Sequence, residues 1–166
     1  MVDAVADMAS SLKVGDPFDP ATRVGPLVTS AQRDRVESYV AEGRAGGARV
    51  AAGGGRPADL ATGWYIEPTV LADLAPGSTP AREEIFGPVL AVLPYDGLED
   101  AVRIANDSNY GLAGTVWTTD VERGLDVARK VETGSIGVNF YDLGLRSGRG
   151  RASSPTSIPP TCRRTC

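Results

Sequence analysis

Three apolar runs of strand character, "PVLAVLPY", "AGTVWTT" and "SIGVNF", alternate with two segments of helical spacing, "DGLEDAVRIANDS" and "DVERGLDVARKVETG". This strand–helix–strand–helix–strand order constrains the fold more than any other feature. Parallel strands need a long crossover between them, and a helix is the usual one. The chain is therefore expected to be α/β, with a mostly parallel sheet flanked by helices. "PVLAVLPY" is apolar without interruption, which predicts a strand buried on both faces. Asp96 is the expected N-cap of the first crossover helix, with Glu99 behind it and a stripe of Leu98, Ala101, Val102 and Ala105. Asp120 is the expected cap of the second, and Gly134 its stop.

The first half reads as two helices and two strands joined by loops. "VDAVADMASSLK" places Val2, Val5, Ala6, Ala9 and Leu12 on one helical stripe. A proline- and glycine-rich loop follows, and then a second helix. Thr29 caps it, Gln32 three residues on completes a capping box, and Val36, Tyr39, Val40 and Gly43 form its apolar side. "ARVAAGG" reads as a short strand and "WYIEPTVLA" as another, with Pro68 marking an edge or a strand start. "PGSTPA" reads as a loop. Trp64, Tyr65 and Trp117 are expected in the core.

Composition removes several classes of function. There is no histidine, so a Ser-His or Cys-His pair is excluded. The two cysteines, Cys162 and Cys166, lie at the extreme end, which argues against a disulfide framework or a metal site. Through Asp142 there are 12 basic against 21 acidic residues, a net −9, unsuited to nucleic acid. No apolar stretch approaches membrane-span length, and "MVDAVADMASSLK" lacks the basic start of a signal peptide, so a cytoplasmic protein without membrane contact is expected. From Gly144 onward there are five arginines and no acid, with only Leu145 and Ile158 as large aliphatics. Such a segment buries too little apolar surface to offset its ordering entropy, so residues 144–166 are expected to be a disordered tail. The glycine run "GRAGGARVAAGGGRP" lacks the phosphate-binding signatures and reads as a helix stop and turn.

The stretch "AREEIFGPVLAV", residues 81–92, carries the chemistry. Pro88 fixes its own φ and pushes Gly87 toward extended geometry at the strand's mouth. A carboxylate held there can accept hydrogen bonds from the two neighbouring hydroxyls of a ribose. An aromatic two positions on projects to the same side of an extended chain and can flank a flat ring. Glu84 and Phe86 together suit a ribose and a nicotinamide. The alternative is a solvated acidic turn with Arg82 pairing locally and Phe86 plugging the core.

Five blocks, "SLKVGDPFDPATRVGPLVTSAQRDRVESYV", "GWYIEPTVLADL", "EEIFGPVLAVLPY", "ANDSNYGLAGTVWTTD" and "ARKVETGSIGVNFYDL", stand in order between about residues 9 and 143. Together they resemble the C-terminal part of the NAD(P)-dependent aldehyde dehydrogenase superfamily. The resemblance implies that Glu84 binds the nicotinamide ribose hydroxyls, that Phe86 backs the nicotinamide and that Leu112 lines its pocket. Asn106 to Gly111 are read mainly as a helix exit and turn.

The resemblance also implies the chemistry: a cysteine thiolate attacks an aldehyde, hydride passes to NAD(P)⁺, and a glutamate activates water to release the carboxylic acid from a thioester. Both catalytic groups fall upstream of the matched region. Residues 1–143 are therefore expected to be a partial catalytic domain, and the chain alone to be inactive and to bind NAD or NADP weakly or not at all. After "GVNFYDL" the family's pattern stops, and the switch in composition near Gly144 suggests a frameshift. The competing expectations are a non-catalytic module that associates with itself or with a full-length relative, and a pseudogene product.

Overall fold

The threonine at position 29 accepts a hydrogen bond from the backbone N–H of Gln32 at 3.1 Å, and the helix it starts, α2 (Ser30–Ala45), is the longest in the molecule's described part. A computed structural model of the protein describes residues 1–140; the expected tail at 144–166, with its two cysteines, lies outside the described residues. These divide into two compact units, residues 1–94 and residues from Tyr95 onward.

In the first unit, α1 (Val2–Ser11) and α2 flank a three-stranded sheet of β1 (Arg49–Ala52), β2 (Thr69–Ala72) and β3 (Val89–Ala91). β2 is central and starts directly after Pro68, where a missing N–H does least harm. It runs antiparallel to β1 and parallel to β3, pairing Val50 with Leu71 and Leu71 with Ala91. All four β2 residues are buried, because each face of the strand meets a helix. Val70 packs with Ala6, Ala9 and Ala52 on the α1 side, whereas Leu71 packs with Val40, Ala48 and Leu74 on the α2 side. Successive strand residues point to opposite faces, so two neighbours serve two cores. A third cluster joins Val36 and Tyr39 of α2 to Ile66 and Ile85.

Two expectations change here. "PGSTPA" contains a one-turn helix, α3 (Thr79–Arg82), opened by the buried Pro80. β3 is not buried on both faces: Val89 and Ala91 pack against the Leu71 cluster, but Leu90 is exposed. Among the described residues β2 is its only partner, so the strand forms a sheet edge with one covered face.

The second unit holds α4 (Gly97–Asn106), β4 (Ala113–Val116), α5 (Val121–Ala128) and β5 (Ser135–Val138). β4 and β5 pair in parallel, from Ala113–Ser135 to Val116–Val138, with α5 as the crossover. Asp120 caps α5 by accepting from the N–H of Arg123 at 3.1 Å. Gly124 lets α5 approach the sheet: a Cβ there would stand 2.8 Å from Val138 Cγ1 and 2.7 Å from Thr118 Cγ2. The expected cap of α4 is different. The Asp96 side chain caps nothing; its backbone N–H donates to the Asp100 carboxylate at 3.0 Å, and Glu99 pairs with Lys130 at 2.8 Å. No helix among the described residues is long and apolar enough to cross a membrane.

Candidate functional site

The segment 83–88 is built from both ends. α3 closes at Glu83, whose N–H still bonds to Thr79 O at 3.0 Å while its backbone has already become extended. Ile85 then drops into the cluster of Val36, Tyr39 and Ile66 and is 8% exposed. Gly87 lies so close to α2 that a Cβ would stand 2.6 Å from Val36 Cγ2, which only glycine tolerates. Ile85, rather than Phe86, plugs the core; the Phe86 ring is 72% exposed.

The backbone of Phe86 has φ +53°, in the left-handed region. A bulky side chain there is disfavoured by about 1–3 kcal/mol and persists only where its surroundings over-determine it. The alternation that would put Glu84 and Phe86 on one side of an extended chain therefore does not apply at Phe86. The two still share one exposed segment, and the Glu84 carboxylate has no hydrogen-bond or ion-pair partner among the described residues.

Helix α2 turns its first turns toward this segment. The Gln32 carboxamide nitrogen donates to Ile85 O at 3.2 Å and to Phe86 O at 2.8 Å. The expected capping box is thus half formed: Thr29 does its part, while the glutamine side chain reaches across the molecule. One turn on, the Arg35 guanidinium donates to Tyr39 Oη at 2.9 Å, lies 5.3 Å over the Tyr39 ring and makes a long 3.5 Å contact with Glu84 O. Between α2 and the segment opens an apolar cavity of about 370 Å³ lined by Pro26, Leu27, Val28, Gln32, Phe86, Gly87 and Pro88. Gln32 and Arg35 were not legible as site residues: the spacing from Thr29 accounts for Gln32 as a cap, and nothing local marks a helix that faces carbonyls some fifty residues away.

Leu112 lies in the second unit, just before β4, and is 90% exposed. It borders a larger cavity of about 690 Å³ lined by Leu98, Ala101 and Val102 of α4, by Trp117 and by Ile136. Trp117 and Trp64, expected in the core, are exposed, because no described element covers their rings. The helix exit at Asn106 has a defined job: its carboxamide donates to Lys130 O at 2.9 Å and accepts from the Glu132 N–H at 2.8 Å, tying the end of α4 to the segment after α5. Asn139, also at φ +53°, does the same between Thr118 and the end of β5, at 2.7 and 2.8 Å.

A sheet covered on both faces by helices, parallel strand pairs and an exposed acid–aromatic segment at a strand entrance define an α/β fold. The solved aldehyde dehydrogenase of Mycobacterium tuberculosis, complexed with NAD+, matches the fold with a TM-score of 0.82 and 54% identity over 85% of this chain and 29% of that one. The model of the aldehyde dehydrogenase family matches residues 1–150, and the chain belongs to that family. It is 49% identical over 166 residues to geranial dehydrogenase of Castellaniella defragrans, covering 95% of this chain and 34% of that protein. It is 44% identical over 144 residues to betaine aldehyde dehydrogenase of Brucella ovis, covering 86% of this chain and 30% of that protein. The chain thus spans about a third of the length of the curated relatives it matches.

Proposed function

We propose that residues 1–143 are the C-terminal part of an NAD(P)-dependent aldehyde dehydrogenase catalytic domain and supply the nicotinamide end of its cofactor site. The observation that carries this reading is the segment 83–88. Its carboxylate is exposed and has no partner among the described residues, its aromatic ring is turned out of the core, and an apolar cavity of about 370 Å³ opens beside that ring. These residues fit the group. Glu84 would accept hydrogen bonds from the two ribose hydroxyls, and Phe86 would back the nicotinamide face. The cofactor, when bound, supplies the hydride acceptor for aldehyde oxidation.

The nucleophilic cysteine and the water-activating glutamate belong to polypeptide outside this chain, so its 166 residues alone do not turn over an aldehyde. Cofactor affinity is also low, because one ribose contact and one ring face must offset the entropy of association while adenosine and pyrophosphate go unheld. Titration of the labelled chain with NAD⁺, followed by NMR, is expected to move the Glu84 and Phe86 resonances with a Kd on the order of millimolar. Micromolar affinity, shifts confined to other residues, or aldehyde-dependent NADH formation above the buffer rate would each overturn the reading.

A further inference from the structure

We infer that Gln32 is the positioning residue of this segment: its carboxamide holds the peptides on either side of Phe86 in the turned conformation that keeps the ring outside the core. The importance of this for a cofactor rests on the reading of Glu84 and Phe86 given above; the inference itself rests on two hydrogen bonds and one backbone angle.

Ile85 is anchored by its apolar cluster, and Gly87 by its close approach to Val36. Neither acts on the torsions of the residue between them. Gln32 does. Ile85 O belongs to the peptide that precedes the Phe86 Cα, and Phe86 O to the peptide that follows it. A single nitrogen bonded to both, at 3.2 and 2.8 Å, restrains φ and ψ together. Such a grip also discriminates between conformations. In an extended strand successive carbonyls point to opposite sides, beyond the reach of one nitrogen. The two bonds can form together only when the chain is turned at Phe86, as its φ of +53° records.

The chemistry selects glutamine. A primary amide carries two N–H donors, one for each carbonyl, whereas an ionised glutamate carries none. The role is separable from helix stability, because it is the backbone N–H of Gln32, and not its side chain, that Thr29 caps. Arg35 contributes less: its contact with Glu84 O is 3.5 Å, while its shorter bond goes to Tyr39.

The test uses the whole labelled chain without cofactor. A positive φ brings an amide proton close to its own Hα, so Phe86 is expected to show a strong intraresidue cross-peak in the native protein. In Gln32→Ala that cross-peak falls to the level of extended residues while the α2 resonances stay in place. A residue that merely stabilised the fold would lower the folded population and leave the folded molecule's cross-peak intact. In Gln32→Glu the cross-peak is lost at neutral pH, where a carboxylate faces two carbonyl oxygens. It returns in part near pH 4, about where a glutamate side chain regains its proton.

Arg82, Glu83 and Glu84 on or beside the segment, and Arg33, Asp34 and Arg35 next to Gln32 on α2, are the charged groups near these bonds, and the native chain at both pH values controls for them. If Gln32→Ala does not fold, Gln32→Glu decides. A cross-peak that survives in Gln32→Ala, or one that is the same at both pH values in Gln32→Glu, overturns the inference. Because no NAD⁺ is present, failure here leaves the cofactor reading standing, and failure of the NAD⁺ titration leaves the clasp standing.

Discussion

The two units are written in the same sequence code and packed to different degrees. In residues 1–94, Val36, Ile66, Val70, Leu71 and Leu74 are almost wholly removed from solvent, and β2 is covered on both faces. From Tyr95 to Phe140 only Gly124 and Ala128 are buried. The α4 stripe is as regular as those of α1 and α2, yet none of its residues is buried, and all four border a cavity of about 690 Å³. Packed interiors hold few voids larger than a water molecule, so this space is a surface and not a core. Periodicity states which side of a helix is apolar; it does not state that the same chain covers it. Polar staples are prominent in the second unit instead: Asn106 to Lys130 and Glu132, Asn139 to Thr118, and Lys130 to Glu99.

If the first unit stands on burial and the second does not, equal truncations should differ in effect. Leu71→Ala, at a wholly buried site, is expected to lower stability by about 2–5 kcal/mol. Leu98→Ala, at a half-buried site on the cavity wall, should lower it by less than about 1 kcal/mol. The protein has two tryptophans, Trp64 in the first unit and Trp117 in the second. Replacing either with phenylalanine leaves a reporter for the other unit in urea unfolding. Equal losses at Leu71 and Leu98 would break the contrast.

A smaller effect sharpens it from the other side. Asn106→Ala removes two hydrogen bonds that join α4 to the segment after α5. The expected loss is about 1–2 kcal/mol, read by Trp117 and not by Trp64. Thr29→Ala, which removes one cap in the first unit, should lower the Trp64 transition by about 1 kcal/mol. No change at Trp117 in Asn106→Ala would mean that the staples do not hold the second unit.

Much of this architecture was legible in the residues. The helices at 2–11 and 30–45, the caps Thr29 and Asp120, and the start of β2 after Pro68 follow from local chemistry, and local chemistry prevailed there. What was not legible depends on partners distant in sequence. The apolar run "PVLAVLPY" cannot say that one of its faces will be left open, and Trp117 cannot say that nothing described will cover it. At the site, the exposed position of Glu84 and Phe86 was open to either reading. The left-handed turn at Phe86 was out of reach, because the group that spans it stands more than fifty positions away. The left-handed residue is the one that the proposed reading sets against the cofactor, and strain is expected to gather at functional sites.

The smallest expected effect concerns charge. In the first unit Arg56 forks onto Glu37, with Nη2 to Oε2 at 2.7 Å, and this hydrogen bond holds the Glu37 carboxyl below the ordinary glutamate value of 4.5. In the second, Lys130 does the same to Glu99 at 2.8 Å. Both carboxyls are depressed in the folded state, so each contribution is present above the ordinary value and is lost as pH falls through the folded one. Stability should therefore decline in both units as pH falls below about 4.5. Glu37 is the less exposed of the two acids and meets a forked guanidinium; Glu99 is open to solvent and meets a single ammonium. Acidification should thus shift the Trp64 urea midpoint more through Glu37→Gln-sensitive stability than it shifts the Trp117 midpoint through Glu99→Gln, and added salt should shrink both shifts. A larger acid-sensitive share at Glu99 would mean that the second unit draws more from its surface charges than their exposure allows.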